Sequence, residues 1–488
     1  MSLAALQARL LLLVTLALAA CSSSSSSPTM LTRDQLLDPQ TCMGCHPDQY
    51  SQWSGSMHAY SSKDPVFVAM NQRGQRETGG QLGTFCVNCH APMAVHEGAT
   101  TDGLNLDQVA AQLHGVTCFF CHSVESVDGT HNNPLTLATD NILRGSFTDP
   151  LAAGRTHLAE YAVLLDRETA DSATMCGSCH DILAPPGGDI ERTFQEWQAS
   201  AFPTVLGETC AECHMPQSTD LVAVADVPNA PLRRAHDHSM PGVDVALTDF
   251  PNKPDQLNMV QSSLNPTLQT ALCVEPFAGG SKLSAIVDNA AAGHSFPSGS
   301  AQDRRAWFEV TAYSGTTVVY SSGVVPTGTP VVSIPDPDLW LLRDCMFDAD
   351  GGQVDMFWQA ASSQGNELPA IVTFDISSPD FYLGHKLRNF PPSGEPIPVP
   401  DRITLQVHLM PIGLDVLDDL IASGDLDAGF RDVMPTYDIG DTLEWTPDAG
   451  THTYVDRDTG GLWFCATTTS LNVLADKFPA PVKTLCSP

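Results

Sequence analysis

Apolar and polar positions divide the chain into unlike stretches. Beyond about residue 271, short runs rich in β-branched and aromatic residues alternate in part with polar ones. They are Lys282–Asp288, Arg305–Tyr313, Thr317–Val325, Leu339–Leu342, Ala370–Asp375 and Ile403–Leu409. Gly, Pro, Asp and Ser clusters separate them, which predicts strands joined by turns. Regular short strands of this kind predict an all-β, sandwich-like domain over 271–488. Leu414–Ala422 is the one helix expected there. Pro241, Pro251, Pro254 and Pro266 mark 241–270 as a linker.

Residues 41–240 have another texture. No run in them makes a convincing strand. Helical spacing occurs at Leu106–Leu113, Arg155–Leu165 and Phe194–Ser200, and long loops fill the remainder. A compact domain with so much loop needs something besides side chains to fill its interior.

The first residues read as an address. Arg9 precedes the apolar run Leu10–Leu18, and Ala19 and Ala20 are small, as in a signal peptide over 1–20. The run is short for a membrane-spanning helix. Leu18-Ala19-Ala20-Cys21 resembles the bacterial lipobox, whose Cys receives acyl chains. Each buried methylene of such chains adds roughly 0.8 kcal/mol, so several chains on Cys21 anchor firmly. Ser22–Ser27 then form a flexible tether within 21–40. The expectation is an exported lipoprotein at the periplasmic face or outer membrane of a Gram-negative-type cell. Ser22, in place of an Asp that retains some lipoproteins at the inner membrane, favours the outer one.

Composition narrows the partners. With 23 Lys+Arg against 56 Asp+Glu, the net charge is −33. Such a surface repels nucleic acid and anionic lipid and favours cationic partners. A merely very soluble surface would have the same balance.

Ten of the fifteen cysteines fall in five Cys-x-x-Cys-His motifs. The first is Cys42, Cys45 and His46; the second is Cys86, Cys89 and His90; the third is Cys118, Cys121 and His122. The fourth is Cys176, Cys179 and His180, and the fifth is Cys210, Cys213 and His214. Composition alone predicts about 0.015 copies in a chain of this size. Two cysteines three positions apart put both sulfurs on one side of a helical turn. There they reach the two vinyl groups of one haem, and the adjacent His meets the iron. Zinc pairs do not require a His after every second Cys, and a reduced zinc site is less natural in an exported protein. Five covalently bound haem c groups are therefore expected. The motifs lie within 173 residues, so short helices and long loops are expected to wrap stacked haems.

Eleven of the sixteen histidines lie outside the motifs. Neutral imidazole is the expected sixth ligand. The candidates are His58, His157, His236, His238 and His294, followed by His96 and His114. His131, His385, His408 and His452 read as structural. Met57 or Met240 in place of a His would raise that haem's potential.

The haem-bearing zone resembles the multihaem cytochrome c family that includes hydroxylamine oxidoreductase, pentahaem nitrite reductase and their electron-transfer relatives. Trp53–His58, Cys89-His90-Ala91-Pro92-Met93, Gly115–Cys118, Cys176–Asp181, and Glu196-Trp197 leading to Cys213-His214-Met215-Pro216 carry the likeness. Gly293–Gly299 resembles a segment that follows the haem zone in such proteins, ahead of a β-rich domain. The likeness spans roughly residues 40 to 310. It implies bis-His haems, with His58, His157, one of His236 and His238, and His294 as distal ligands. Nitrite reductases of the family carry Lys at the catalytic haem, whereas all five motifs here end in His. The Tyr crosslink of hydroxylamine oxidoreductase has no counterpart that can be located.

The expected function is electron transfer between a respiratory donor and an extracytoplasmic acceptor, with redox proteins, other cytochromes among them, as partners. The alternative is an oxidoreductase acting on a small nitrogen or sulfur compound at one five-coordinate haem. Cys273, Cys345, Cys465 and Cys486 lie outside the motifs in an oxidising compartment, which predicts two disulfides with three pairings open.

Overall fold

The computed structural model describes residues 29–150, 156–277, 279–375, 377–378, 380, 384–448, 452–455 and 462–467. The expected signal peptide, Cys21, the serine tether and Cys486 lie outside the described residues.

Short capped helices build the first half. Thr32 and Gln35 form a capping box on Arg33–Leu37, and Asp38 caps Pro39–Met43. Ser56 caps Met57–Tyr60, and Asp64 caps the 13-residue helix Pro65–Glu77. Proline opens several of these helices at the position where a missing N–H costs nothing. The motifs sit on or at the ends of the short helices Pro39–Met43, Val87–His90, Cys118–His122, Ala170–Gly177 and Cys210–His214. Thr117 caps the third, and Thr209 with Glu212 forms a capping box on the fifth.

Phe194–Ser200 is helical over Thr193–Ala199, as the spacing predicts. Leu106–Leu113 instead breaks into two 3-10 turns, Leu106–Gln108 and Ala111–Leu113. The break falls at Val109, whose carbonyl accepts from Nε2 of His114 at 3.2 Å instead of continuing a helical ladder. Arg155–Leu165 is not a helix in its described part. Leu158–Tyr161 pairs in parallel with Ile142–Gly145, fixed by a 3.0 Å ion pair between Arg144 and Glu160, and a 3-10 turn follows at Val163–Leu165. Tertiary pairing overrides the helical spacing there. The zone also holds small two-stranded sheets that the sequence pattern conceals: Val124–Val127 with Leu135–Leu137, Ile182–Leu183 with Asp189–Glu191, and Val222–Ala223 with Leu232–Arg233. Within 241–270, Lys253–Leu264 forms a helix that buries Val260 and Leu264.

The second half contains two larger antiparallel sheets. One has the order His385–Phe390, Gly280–Asn289, Leu268–Phe277, Leu462–Thr467, His452–Val455. The other has Thr317–Ser322, Arg305–Ser314, Arg402–Met410, Tyr437–Trp445, with Trp340–Leu342 paired to Arg305–Ser314. Both sheets contribute to one core that includes Leu272, Leu283, Phe308, Trp340, Ile403 and Leu405. Cys273 and Cys465 form a disulfide between neighbouring strands. Cys345 is also disulfide-bonded.

The expected strand Ala370–Asp375 is absent. The Ile371 carbonyl there accepts from Ala201 N at 2.7 Å, so the segment lies against the first half instead of joining a sheet. The strand expected to reach Val325 stops at Ser322. Gly323 follows at φ +75°, where an added Cβ would stand 2.0 Å from the Phe308 carbonyl oxygen. Leu414–Ala422 is helical as expected. It buries Leu414, Leu417 and Leu420 in a cluster shared with Val66 and Ala69 of the helix Pro65–Glu77, which joins the two halves.

Candidate functional site

Each motif presents two free thiols beside its histidine. None of the ten motif cysteines is oxidised to a disulfide: Cys42 and Cys45, Cys86 and Cys89, Cys118 and Cys121, Cys176 and Cys179, and Cys210 and Cys213 all carry free sulfur. The first motif shows how the backbone sets them. Cys45 N and His46 N both donate to the Cys42 carbonyl, at 3.1 and 2.8 Å, which closes a helical turn past the end of Pro39–Met43. The Cys45 carbonyl in turn accepts from Asp226 N at 2.7 Å, so a distant loop holds this turn in place. The same bonds to the first cysteine carbonyl recur at Cys89 and His90 and at Cys179 and His180.

The five motif histidines share one arrangement. Nδ1 of His46 donates to the Val224 carbonyl at 2.7 Å, and that of His90 to Ser61 at 3.2 Å. Nδ1 of His122 donates to Arg144 at 2.5 Å, and that of His214 to Pro241 at 2.8 Å. A carbonyl can only accept, so the proton is on Nδ1 and the neutral ring presents an Nε2 lone pair. This is the tautomer a metal-binding imidazole needs, fixed by the outer hydrogen bond that usually accompanies it. With two sulfurs beside each such ring, the donor set fits haem c at every motif. The fourth motif departs in its partner: Nδ1 of His180 lies 2.9 Å from the carboxylate of Glu191.

Three of the candidate distal histidines repeat the pattern. Nδ1 of His157 donates to Leu158 at 3.1 Å, that of His238 to His236 at 2.8 Å, and that of His294 to Ser295 at 2.8 Å. His236 differs, with Nε2 facing the Gln217 amide at 3.4 Å. Among the described residues the His58 ring has no hydrogen bond.

Two ring pairs have a telling separation. The centroids of His46 and His157 are 6.3 Å apart, and those of His58 and His180 are 6.2 Å apart. Two imidazoles on opposite sides of one metal, with bonds of about 2.0–2.1 Å each, have ring centres ~6.3 Å apart. His238 is an electrostatic neighbour of His122, and His294 of His214. His90 is instead stacked on Phe67, centroids 4.0 Å apart and planes 8° from parallel.

The remaining histidines are engaged elsewhere. His114 faces the Ser62 hydroxyl through Nδ1 and the Val109 carbonyl through Nε2. His96 is at the surface beside Glu97, and His131 pairs with the Thr130 hydroxyl. His408 lies between Asp438 and Glu309. The rings of His385 and His452 lie outside the described residues. Met57 lies on the helix beside His58, and Met240 has a left-handed backbone at φ 45°.

The motifs also neighbour one another. Cys42 and Cys118 are electrostatic neighbours, as are Cys89 and Cys179 and Cys176 and Cys210. Cys121 has Cys176 and Cys179 as electrostatic neighbours. The first motif thus adjoins the third, the third adjoins the fourth, and the fourth adjoins both the second and the fifth.

Burial holds His58, His122 and His294 neutral, with pKa values lowered to about 4, and nearby imidazoles add to the effect for each. A neutral ring is the ligating form. At His180 burial also opposes the cation, but the hydrogen bond and charge of Glu191 outweigh it and lift the pKa to about 9.

The partners of the motif histidines were invisible to motif reading. Any residue can supply the carbonyls of Val224, Ser61, Arg144 and Pro241. Glu191 reaches His180 because the strand Asp189–Glu191 folds back on Ile182–Leu183, with Ile182 opposite Glu191.

Residues 41–123 match the family model described as cytochrome c554 and c-prime. The fold is similar to that of a penta-haem cytochrome c552 from Thermochromatium tepidum. The TM-score is 0.58 at 18% identity, over 84% of this chain and 99% of that one. No curated protein matches the chain. The family match covers residues 41–123, which hold the first three motifs, and the likeness to the solved structure is one of fold.

Proposed function

We propose that this chain is an exported electron carrier holding five haem c groups, one per Cys-x-x-Cys-His motif. The observation that carries this reading is the shared histidine arrangement. Each motif ring has its Nδ1 held by a carbonyl or, at His180, by a carboxylate, and each has a second histidine as a neighbour, His58 being shared between His90 and His180. Bound haem iron supplies one-electron ferric–ferrous chemistry. His157 would hold one haem together with His46, His238 with His122, His58 with His180, and His294 with His214. The neighbouring cysteines order the motifs first, third, fourth, fifth, with the second attached to the fourth, which is a continuous route.

The two large sheets, read as a sandwich, cover one flank of this assembly, and His294 reaches from that side to the fifth motif. Cys21 anchors the chain to a membrane outside the cytoplasm, Ser22–Ser27 giving it reach. The donor and acceptor are redox proteins, and the acidic surface favours those with a basic docking face.

Replacement of ligands tests the assignment. His294→Ala and His238→Ala should each convert one low-spin haem to high spin in visible and electron paramagnetic resonance spectra of the holoprotein. His236→Ala should leave the spectra as they were. Unchanged spectra in the first two variants would refute the bis-His carrier.

A second reading follows from His90. The histidines that neighbour its ring electrostatically, His58 and His180, are paired with each other. This favours an oxidoreductase that meets a small nitrogen or sulfur compound at the haem of the second motif. Carbon monoxide titration of the reduced holoprotein decides between the readings. Binding of one equivalent favours the enzyme, and no binding favours the pure carrier.

A further inference from the structure

We propose that Glu191 is a positioning residue that, acting through His180, makes the haem of the fourth motif the lowest in potential of the five. The inference rests on the haem-carrying reading above. Four of the motif rings donate to neutral carbonyls, and only His180 donates to a carboxylate. A carbonyl orients an imidazole. A carboxylate also draws the Nδ1 proton away and gives the ring part of the character of imidazolate. A ring of that kind is a stronger donor and favours ferric over ferrous iron. The anionic charge itself acts in the same direction.

The surroundings preserve the effect. The Glu191 side chain is only 12% exposed, so solvent screens it weakly. Its neighbour Arg192 does not neutralise it, being engaged with Asp181 and Asp189. Among the described residues, the one ion pair of Glu191 is with His180. Among the described residues, the ring of His58, paired with His180, has no hydrogen bond that would strengthen it in parallel.

The carboxylate is also rigidly held. Asp189–Glu191 pairs with Ile182–Leu183, the Phe194 amide donates to the His180 carbonyl at 3.2 Å, and Gly188 N donates to Ala360 O at 3.1 Å. Gly177, beneath the motif, is packed so closely that an added Cβ would lie 2.2 Å from the Phe194 ring. The fourth motif adjoins the second, third and fifth. The lowest-potential member therefore sits at the branch of the route, where it separates the electrons resting on its neighbours.

The test compares wild-type holoprotein with Glu191→Gln and Glu191→Asp in potentiometric titrations followed by electron paramagnetic resonance. Haem content is measured on each by the pyridine haemochrome spectrum. With five haems bound, Glu191→Gln should shift the lowest-potential component upward, change the g-anisotropy of that one signal and leave the other four in place. Glu191→Asp, which keeps the charge one methylene further back, should shift the same component less. The inference is overturned if the titration of the five-haem Gln variant is unchanged, or if the component that moves is not the lowest. Fewer than five haems in the wild type would overturn the parent reading instead.

Discussion

The two halves of the molecule are stabilised in opposite ways. In the second half, strands from both large sheets meet across a core of side chains, among them Phe308 and Trp340, whose rings stack with centroids 4.0 Å apart. The first half has smaller clusters, such as Ala173, Phe194 and Trp197, or Leu36, Leu37, Phe67 and Met93. Many of its polar bonds run from a side chain to a distant backbone group, as from the His214 ring to Pro241 or from the Trp53 indole to Val116 at 2.8 Å. Such bonds fix loops in place but contribute little net free energy each. One half is thus built on a continuous apolar core and the other on smaller clusters joined by long-range polar bonds, which on the proposed reading the haems complete.

Removing the haem should produce the largest contrast. In protein made without haem attachment, amides of residues 29–240 should exchange with deuterium as in an unfolded chain, while the strands over 268–467 keep slow exchange. The first half would then depend on its cofactors as zinc fingers depend on metal. Slow exchange throughout 29–240 in the haem-free chain would show that its own side chains suffice.

A core substitution should produce the reverse contrast. Trp340 is fully buried, and Trp340→Ala should destabilise the second half by about 3–5 kcal/mol through lost contacts and the cavity left behind. Denaturant unfolding followed by tyrosine and tryptophan fluorescence should record this loss. The visible haem spectrum of the folded variant should be unaltered. A loss of haem absorbance in step with the core would mean that the halves unfold as one unit.

What was legible in the sequence follows the same division. Strands such as Arg305–Ser314 and Arg402–Met410 could be read because each buries one set of side chains in a shared core, which imposes a pattern. Ala370–Asp375 has strand-like residues, yet its backbone bonds go to the first half, and no local pattern records that. The motifs were legible because the haem attachment proposed for them dictates three residue types at fixed spacing. The proposed choice of His238 over its neighbour His236 rests on the fold, which sets the His236 ring against Gln217 and makes His238 an electrostatic neighbour of His122. Glu191 was overlooked for the same reason: a hairpin, not a motif, carries it to His180.

The smallest expected effect concerns the seam between the halves. Arg73, on the helix Pro65–Glu77, pairs with Asp419 on the helix Leu414–Ala422 at 2.6 Å, with side-chain exposures of 14% and 40%. Arg73 also pairs with Glu77, so a single Ala variant would remove two contacts at once. A double-mutant cycle with Arg73→Ala and Asp419→Ala separates the bridge between halves from the local pair. Its coupling should be about 0.2–1 kcal/mol, because one partner stays well hydrated. It should also weaken with added salt as the Debye length shortens. The shared apolar cluster, with Val66 and Ala69 facing Leu414 and Leu417, would then supply most of the adhesion. A coupling several-fold larger and insensitive to salt would reverse that order and make the ion pair the main link between scaffold and core.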